Sequence, residues 1–290
     1  MRSKMKLPVI QPIVTQKEKN KIERYLALVK KEGYRPFVTV RQSHTIGQGQ
    51  IIYSPKTNRT HHFLSRGELI PFFHFEANSI VENIFDQYPL PLEDTLKIAV
   101  DLNIVHPGSY QEAEDFDGHK PAKTMTLDYV VKHKDKSLHA YNFKYAGALN
   151  PELTSPQSVA RTEAKAKIER EYCEKNNISW TQLTELSFQS NVTDNLRYLR
   201  EHKEYEKEFN VSDEFKIIAL TCFRINMETY PETTVYRLIE MVATELGIEL
   251  FQSQFLFQLL AYNRALSFDW LEVIDLNRPL PLVKELRYVR

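Results

Sequence analysis

The stretch from residue 127 to residue 145, LDYVVKHKDKSLHAYNFKY, decides the fold. Two runs rich in β-branched and aromatic residues flank a polar turn at 135–137, a pattern that predicts a β-hairpin. If the loop has three residues, opposed positions have numbers that sum to 272, and Asp128 lies opposite Lys144. The sequence therefore predicts a carboxylate beside an ammonium, with about 5 Å between their Cβ atoms.

Strand alternation divides this hairpin into two faces. One face is expected to be a core face, with Leu127, Tyr129, Val131, His139, Tyr141, Phe143 and Tyr145. The other face carries Asp128, Asn142 and Lys144 and is expected to be a mixed surface. A lone cross-strand Asp–Lys pair is common and is worth under about 1 kcal/mol, so it indicates a site only if a third group joins it.

Glu68 is the candidate third group. Ser65 precedes it by three residues, the form of a capping box, and predicts a helix from there to about residue 78. A helix carboxylate followed by a strand aspartate and a strand lysine is the order found in PD-(D/E)xK nucleases. Two carboxylates can hold a hard divalent cation such as Mg²⁺, with Mn²⁺ as a substitute, while a lysine stabilises an attacking water or developing charge.

The chain up to residue 206 mixes helical and extended patterns. Helices are expected at 17–31, 158–176 and 191–206, strands with turns at 37–62, and extended segments at 81–89, 95–104 and 178–183. This mixture predicts an α/β fold. The resemblance to PD-(D/E)xK nucleases implies that its core is restriction-endonuclease-like, a mixed sheet flanked by helices.

The pattern changes from residue 212 onward. Three helices are expected at 212–227, 233–246 and 250–266, followed by short strands around 268–274 and 282–288, which is the outline of an α+β winged-helix-like domain. The predicted domains are a basic arm with strands joined to the nuclease domain at 1–60, a catalytic domain at 61–185 and a C-terminal domain at 186–290.

Charge is unevenly distributed along a chain whose formal net charge is zero. Residues 1–60 hold 13 basic and 3 acidic side chains, whereas residues 61–120 hold 3 basic and 11 acidic ones. A basic arm followed by an acidic patch suits a protein that holds a polyanion and concentrates cations, and equally suits two solvated faces. Two separate cysteines and the lack of a long apolar run predict a cytoplasmic protein that does not enter a membrane.

Several short stretches, in a shared order, resemble the TnsA family, the endonuclease subunit of heteromeric Tn-type bacterial transposases. They are THHFLS (60–65) leading to Glu68, DQYPL (86–90), IA (98–99), IVHP (104–107), TLDY (126–129), FK (143–144), RT (161–162), ER (169–170) with Tyr172, ISW (178–180) and ELRYV (285–289). Together they cover nearly the whole chain.

The resemblance implies a role for each matched site residue. Glu68 and Asp128 would be metal-binding carboxylates, Lys144 the catalytic lysine, and the backbone carbonyl of Phe143 a further metal ligand. Glu169 matches another acidic position of the family's active site. Asn142 stands where the family commonly has Gln, and the shorter side chain is expected to be a weak ligand or to act through a water.

The resemblance also implies a function and partners. TnsA-like proteins cut the 5′, non-transferred strand at transposon ends, while a TnsB-like transposase cuts and joins the 3′ strand. A TnsC-like AAA+ ATPase couples them to a target. Double-stranded DNA at transposon ends is then the expected substrate, and the C-terminal domain is expected to dock the ATPase, with DNA contact as the other possibility.

Two other functions stay open on the sequence. The first is a DNA-binding winged-helix regulator whose nuclease-like domain no longer cuts. The second is a stand-alone restriction or repair nuclease, which the sequence disfavours because it shows no element that reads base edges.

Overall fold

The computed structural model describes residues 9–43, 48–109, 116 and 118–283. The chain divides into two compact units, residues 1–187 and 188–290. The helices of the first unit are α1 (Gln16–Glu32), α2 (Leu69–Ala77), α3 (Leu92–Asp101), α4 (Ala146–Leu149) and α5 (Pro156–Lys175). Its strands are β1 (Gln50–Ser54), β2 (Arg59–Phe63), β3 (Val81–Pro89), β4 (Thr126–His133), β5 (Leu138–Phe143) and β6 (Ser179–Leu183).

A four-stranded mixed sheet with the order β3-β4-β5-β6 forms the centre of this unit. The β3–β4 and β4–β5 pairs are antiparallel, and β6 runs parallel to β5 because α5 provides the crossover between them. Strands β1 and β2 form a separate antiparallel pair. The predicted fold class, a mixed sheet flanked by helices, is confirmed.

Both faces of the sheet are buried, which corrects the prediction of one mixed surface. Val130 and Ala140, on the face that also carries Asp128, are at most 1% exposed and share a core with residues of α3 and α5, Ile98, Ala99, Ile168, Tyr172 and Cys173. On the other face, Tyr129 and Tyr141 pack against Phe75 of α2, with ring centroids 5.4 and 4.8 Å away. Full burial of one such aromatic or aliphatic side chain is worth about 1.5–3 kcal/mol, so these two layers carry most of the sheet's stabilisation.

The hairpin register differs from the predicted one by two residues. Lys132 pairs with Leu138 and Tyr129 with Tyr141, so opposed numbers sum to 270 and the loop spans 133–137. Asp128 therefore lies beside Asn142, not opposite Lys144. A shift of two preserves which residues share a face, because side chains alternate with a period of two.

Two further boundaries differ from the sequence-based expectation. The segment 95–104, predicted as extended, is mostly the helix α3, whose buried residues Leu92, Thr95, Ile98 and Ala99 follow helical spacing. Helix α2 begins at Leu69, one residue after Glu68, and ends at Ala77, close to the predicted end. The predicted helices at 17–31 and 158–176 and the strands at 81–89 and 178–183 are confirmed as α1, α5, β3 and β6.

The second unit is helical over the residues that the structure describes. Its helices are α6 (Ser190–Arg200), α7 (His202–Tyr205), α8 (Asp213–Thr229), α9 (Val235–Leu246) and α10 (Leu250–Tyr262). The three predicted C-terminal helices are thus confirmed, whereas the strand expected at 268–274 is wrong because this segment is coil and turn. The strand expected at 282–288 and the ELRYV motif extend into residues 284–290, outside the described part of the chain. The winged-helix character of this domain stays a prediction.

Among the described residues, every helix is too short or too polar to span a lipid bilayer.

Candidate active site

Glu68 lies at the N-terminal end of α2, and its carboxylate is folded back onto the preceding loop. Oε2 accepts hydrogen bonds from the backbone N–H of Leu64 (2.9 Å) and from Nε2 of Gln87 (3.3 Å). Oε1 accepts one from the Ser65 hydroxyl at 3.0 Å, and the Glu68 backbone N–H donates to that hydroxyl at 3.4 Å, so Ser65 orients the acid. The predicted capping box is wrong, because Glu68 itself is the N-cap of α2 and the backbone donor to its carboxylate is Leu64. The side chain is held towards the end of the sheet because Tyr129 donates its hydroxyl to the Glu68 backbone carbonyl.

Asp128 meets this carboxylate from β4. Its Oδ2 accepts a hydrogen bond from the Phe143 backbone N–H at 2.8 Å, which fixes the side chain against the end of β5. Burial, reinforced by the negative charge of Asp128, raises the pKa of Glu68 to about 8. The structure thus brings these two predicted carboxylates into one electrostatic site.

Lys144 follows directly after β5, where its backbone N–H donates to the Leu183 carbonyl at 3.0 Å. Its positive charge lowers the pKa of Glu68 and of Glu169 against the effect of burial. Lys144 thus influences both carboxyls electrostatically, and it directly follows Phe143, whose backbone N–H binds Asp128, although the predicted cross-strand pairing is wrong. Its catalytic role stays a prediction.

Asn142 joins the site to α5. Its Oδ1 accepts from the Asp128 backbone N–H at 2.9 Å, and its Nδ2 donates to Glu169 Oε2. The amide is 5% exposed and both of its ends are hydrogen-bonded, so it fixes the spacing between β4 and α5. Its expected role as a weak ligand, and that of the Phe143 carbonyl as a ligand, remain predictions.

Glu169 is a second buried acid with an unusual proton affinity. It is 1% exposed, and burial raises its pKa to about 7, with Lys165 opposing this rise and Asp128 adding to it. Lys165 Nζ lies 3.3 Å from Oε1, four residues earlier on the same helix. Burial alone would lower the pKa of Lys165, but Glu169 and Asp128 outweigh this and raise it, so the lysine keeps its charge at neutral pH.

The sequence analysis did not identify Gln87 and Lys165 as members of this site. Lys165 could have been found, because positions four apart on a helix are neighbours. Gln87 gave no such signal. It is 2% exposed within β3 and has a φ of 48°, a conformation that costs a non-glycine residue about 1–2 kcal/mol. Its side chain links Thr126 to Glu68.

A second buried polar cluster anchors β2 to β3 beside the site. Asp86 accepts hydrogen bonds from Arg59 at 2.6 Å, from His61 Nδ1 at 2.9 Å and from the backbone N–H of His62 at 2.8 Å. Burial lowers the pKa of His61, which makes Arg59 the lasting counter-ion of Asp86 at neutral pH. His61 thus has a structural role in this cluster.

The donor set fits a hard divalent cation. Glu68 and Asp128 are oxygen donors whose mutual repulsion a cation would relieve, and the raised pKa of Glu68 measures that repulsion together with burial. Within the described residues no cluster of three or more His, Cys, Asp or Glu side chains could enclose a metal. An ion held here would depend on two carboxylates, backbone carbonyls and water, which is the coordination that Mg²⁺ prefers.

A mixed four-stranded sheet flanked by helices is the architecture of a restriction-endonuclease-like core. Residues 78–185 match the model of one family, described as TnsA-like endonuclease N terminal. This match supports, over residues 78–185, the resemblance that the motifs indicated. The matched segment contains Asp128, Lys144 and Glu169, whereas Glu68 precedes it.

A curated relative gives the same assignment. The chain is 34% identical over 168 residues to "Transposon Tn7 transposition protein TnsA" of Escherichia coli, a match that covers 57% of this chain and 55% of that protein. The chain thus spans about half the length of the relative it matches.

Proposed function

We propose that this protein is the DNA endonuclease subunit of a transposase complex and cuts the 5′, non-transferred strand at transposon ends. The observation that supports the proposal is that Phe143 joins the three residues: its backbone N–H binds Asp128, its ring packs against Gly67 beside Glu68, and Lys144 follows it. Asp128 and Lys144 lie in the segment that matches a TnsA-like endonuclease. The relative's name, a transposition protein, supports the setting. A TnsA-like endonuclease implies a divalent metal in general, and we assign Mg²⁺, with Mn²⁺ as a substitute.

Glu68 and Asp128 would hold the cation, with the Phe143 carbonyl and an Asn142-bound water as further ligands. When bound, Mg²⁺ polarises the scissile phosphate and acidifies a water. This arrangement supports our assignment of the site to the PD-(D/E)xK class of nucleases.

The side chains supply positioning and charge for the reaction. Lys144, at the end of β5, stabilises the hydroxide that attacks phosphorus and the negative charge that grows on the phosphate oxygens. Glu169, with a pKa of about 7, can hold or release a proton at neutral pH, which suits a group that passes protons to and from the site. Asn142 holds Glu169 and Asp128 in fixed positions, and Lys165 lowers the pKa of Glu169 against the effect of burial.

The second unit supports a role in partner binding. Three isoleucines of α8, Ile217, Ile218 and Ile225, are 64%, 50% and 56% exposed. An apolar stripe of this kind on a helix is typical of a protein-binding surface. We propose that this domain docks a TnsC-like AAA+ ATPase and that a TnsB-like transposase delivers the DNA ends, in the cytoplasm of a bacterium.

The test is excision reconstituted from purified protein with TnsB-like and TnsC-like partners on DNA labelled separately on each strand. Asp128→Ala and Lys144→Ala should each abolish 5′-strand cleavage while 3′-strand cleavage continues. Far-UV circular dichroism and co-purification with the partners should match the wild type, since both residues lie at the end of the sheet and not in its core. Glu93→Ala, an exposed acid on α3, is the matched control and should cut normally.

Other outcomes identify the other functions. DNA binding without Mg²⁺-dependent nicking, unchanged by Asp128→Ala, would identify an inactive nuclease-like regulator. Cleavage of free DNA without any partner would identify a stand-alone nuclease.

A further inference from the structure

A cleft of about 690 Å³ lies along one side of α1, in the first unit. Its charged lining residues are Lys17, Glu18, Lys21, Arg24, Arg35 and Lys123. Five of these six are cations. The cleft therefore presents positive charge at a concave surface, where low-dielectric walls strengthen its field.

The single acid in the cleft is turned away from it. Glu18 is 4% exposed, and its Oε1 accepts hydrogen bonds from the Thr124 backbone N–H (2.9 Å) and hydroxyl (2.6 Å). Because these bonds hold the carboxylate against the loop before β4, it serves to attach α1 to that loop. The charge that faces a ligand is that of the lysines and arginines.

Aromatic rings form part of the wall and hold one cation in place. Lys21 Nζ lies 4.2 Å from the centroid of the Phe37 ring, and Tyr25 packs edge-on against the same ring with centroids 5.0 Å apart. Burial lowers the pKa of Lys21, Glu18 opposes this, and the nearby charge of Lys123 lowers it further. An anion between Lys21 and Lys123 would relieve that repulsion.

The opposite side of α1 has a different character. A second cleft there, of about 550 Å³, shares Tyr25 and Phe37 but is lined by the acids Glu23, Glu93 and Asp94, with Lys19 its one cation among the lining residues. Positive charge is thus concentrated on one side of the helix, whereas acids outnumber cations on the other. A helix with basic residues on all sides would not show this difference in charge between its two clefts.

The basic cleft is attached to the active site through direct contacts. The Phe37 backbone N–H donates to the Gln87 carbonyl at 3.2 Å, and the Gln87 side chain donates to Glu68 at 3.3 Å. Lys123 precedes Asp128 by five residues, so at about 3.3 Å per residue their Cα atoms are at most about 17 Å apart. That span equals about five base pairs of duplex DNA at 3.4 Å per pair.

We propose that this cleft binds the sugar–phosphate backbone of duplex DNA within about five base pairs of the phosphate that the active site cleaves. The inference rests on the proposed endonuclease function and adds the surface that holds the substrate. Ammonium and guanidinium groups on a concave wall match a run of phosphates, and such contacts position DNA without reading its sequence.

The test measures how the affinity of the full-length protein for DNA depends on salt. A fluorescent duplex of about 30 base pairs, three helical turns, is titrated with protein in EDTA, so that no cleavage occurs, from 50 to 200 mM salt. Each phosphate contact contributes about 0.9 to the slope of log K against log salt. Lys21→Ala combined with Arg24→Ala should reduce the magnitude of that slope by about 1.8. The fold-loss of affinity between 50 and 200 mM salt should then be about ten times smaller for the double variant than for the wild type.

Lys19→Ala is the matched control, since it removes the same charge from the other side of the same helix. It should leave the slope within about 0.3 of the wild-type value, well under the 0.9 of one contact. Arg24→Ala alone keeps the contact between Lys21 and Phe37 and should change the slope by about 0.9. It therefore tests the proposal even if the double variant does not fold. Circular dichroism confirms that each variant is folded.

Three results would overturn the proposal: no measurable binding by the wild type at 50 mM salt, equal slopes for the wild type and Arg24→Ala, or an equal loss in Lys19→Ala. Failure of the endonuclease function is distinguishable from these. It would show as absent nicking by a wild-type protein whose DNA affinity still depends on Lys21 and Arg24.

Discussion

Glu68→Gln tests whether the charged Glu68 carboxylate destabilises the folded protein when no cation is bound. In the metal-free protein the pKa of Glu68 is raised to about 8, whereas its ordinary value is 4.5. The stability that this raised pKa contributes is fully present below about pH 4.5 and is lost as the pH rises through about 8. Glutamine has nearly the same shape and no charge, so the variant should not lose stability in this way.

The magnitude follows from the two pKa values. Between pH 5 and pH 9 the wild-type protein should lose on the order of 4 kcal/mol relative to Glu68→Gln. Hydrogen bonds from Leu64 and Gln87 change on substitution, but that change is present at both pH values and cancels in the comparison. Asp128→Asn should act in the same direction, because removing its negative charge lowers the pKa of Glu68.

The assay is urea unfolding in EDTA at pH 5 and pH 9, followed by the fluorescence of Trp180 in β6. A Trp270→Phe background removes the other tryptophan of the chain. Glu93→Gln, an exposed position, controls for the loss of any carboxylate. If the free-energy difference between Glu68→Gln and wild type is the same at both pH values, Glu68 is not desolvated and the reasoning about the site is wrong.

Three further variants test the scaffold. Gly67→Ala should destabilise the protein by about 1–3 kcal/mol and reduce cleavage, because an added Cβ would overlap the Phe143 ring; unfolding and nicking assays on one preparation check both effects. Gln87→Leu should move the acidic limb of the pH–rate profile to higher pH, since Glu68 loses a donor that favours its charged form; an unchanged profile would argue against this contact. Arg59→Ala should cost about 3–5 kcal/mol in urea unfolding because a buried aspartate on β3 loses its counter-ion, whereas a loss under about 1 kcal/mol would show that solvent reaches it.

Residue types and their order predicted one cation-binding site, formed by a helix acid, a strand aspartate and a lysine after the next strand. In the structure Asp128 and Lys144 both influence the carboxyl of Glu68, and cation binding stays a prediction. The predicted register of the hairpin was wrong by two residues, but the predicted faces were right, because a shift of two residues leaves side-chain alternation unchanged. An error of one residue would have moved Asp128 to the opposite face.

Segment 95–104 shows where sequence reasoning failed and why. Apolar residues at 98, 99, 102 and 104 fit a buried strand and a short amphipathic helix equally well, since a short window contains too few periods to separate them. In the structure the segment is the helix α3, and its Ile98 and Ala99 pack in one core cluster with Val130 and Ala140 of the sheet. That covering helix is also the reason why the predicted mixed surface is buried.

By itself the sequence determined the fold class, the order of most elements and the residues that could bind a cation, since these follow from local periodicity and side-chain chemistry. Only the tertiary structure decided the hairpin register, the positive φ of Gln87 and the raised pKa values of Glu68 and Glu169. These depend on which groups from distant parts of the chain exclude water from one another. Burial and mutual charge are properties of the packed molecule, and no local pattern encodes them.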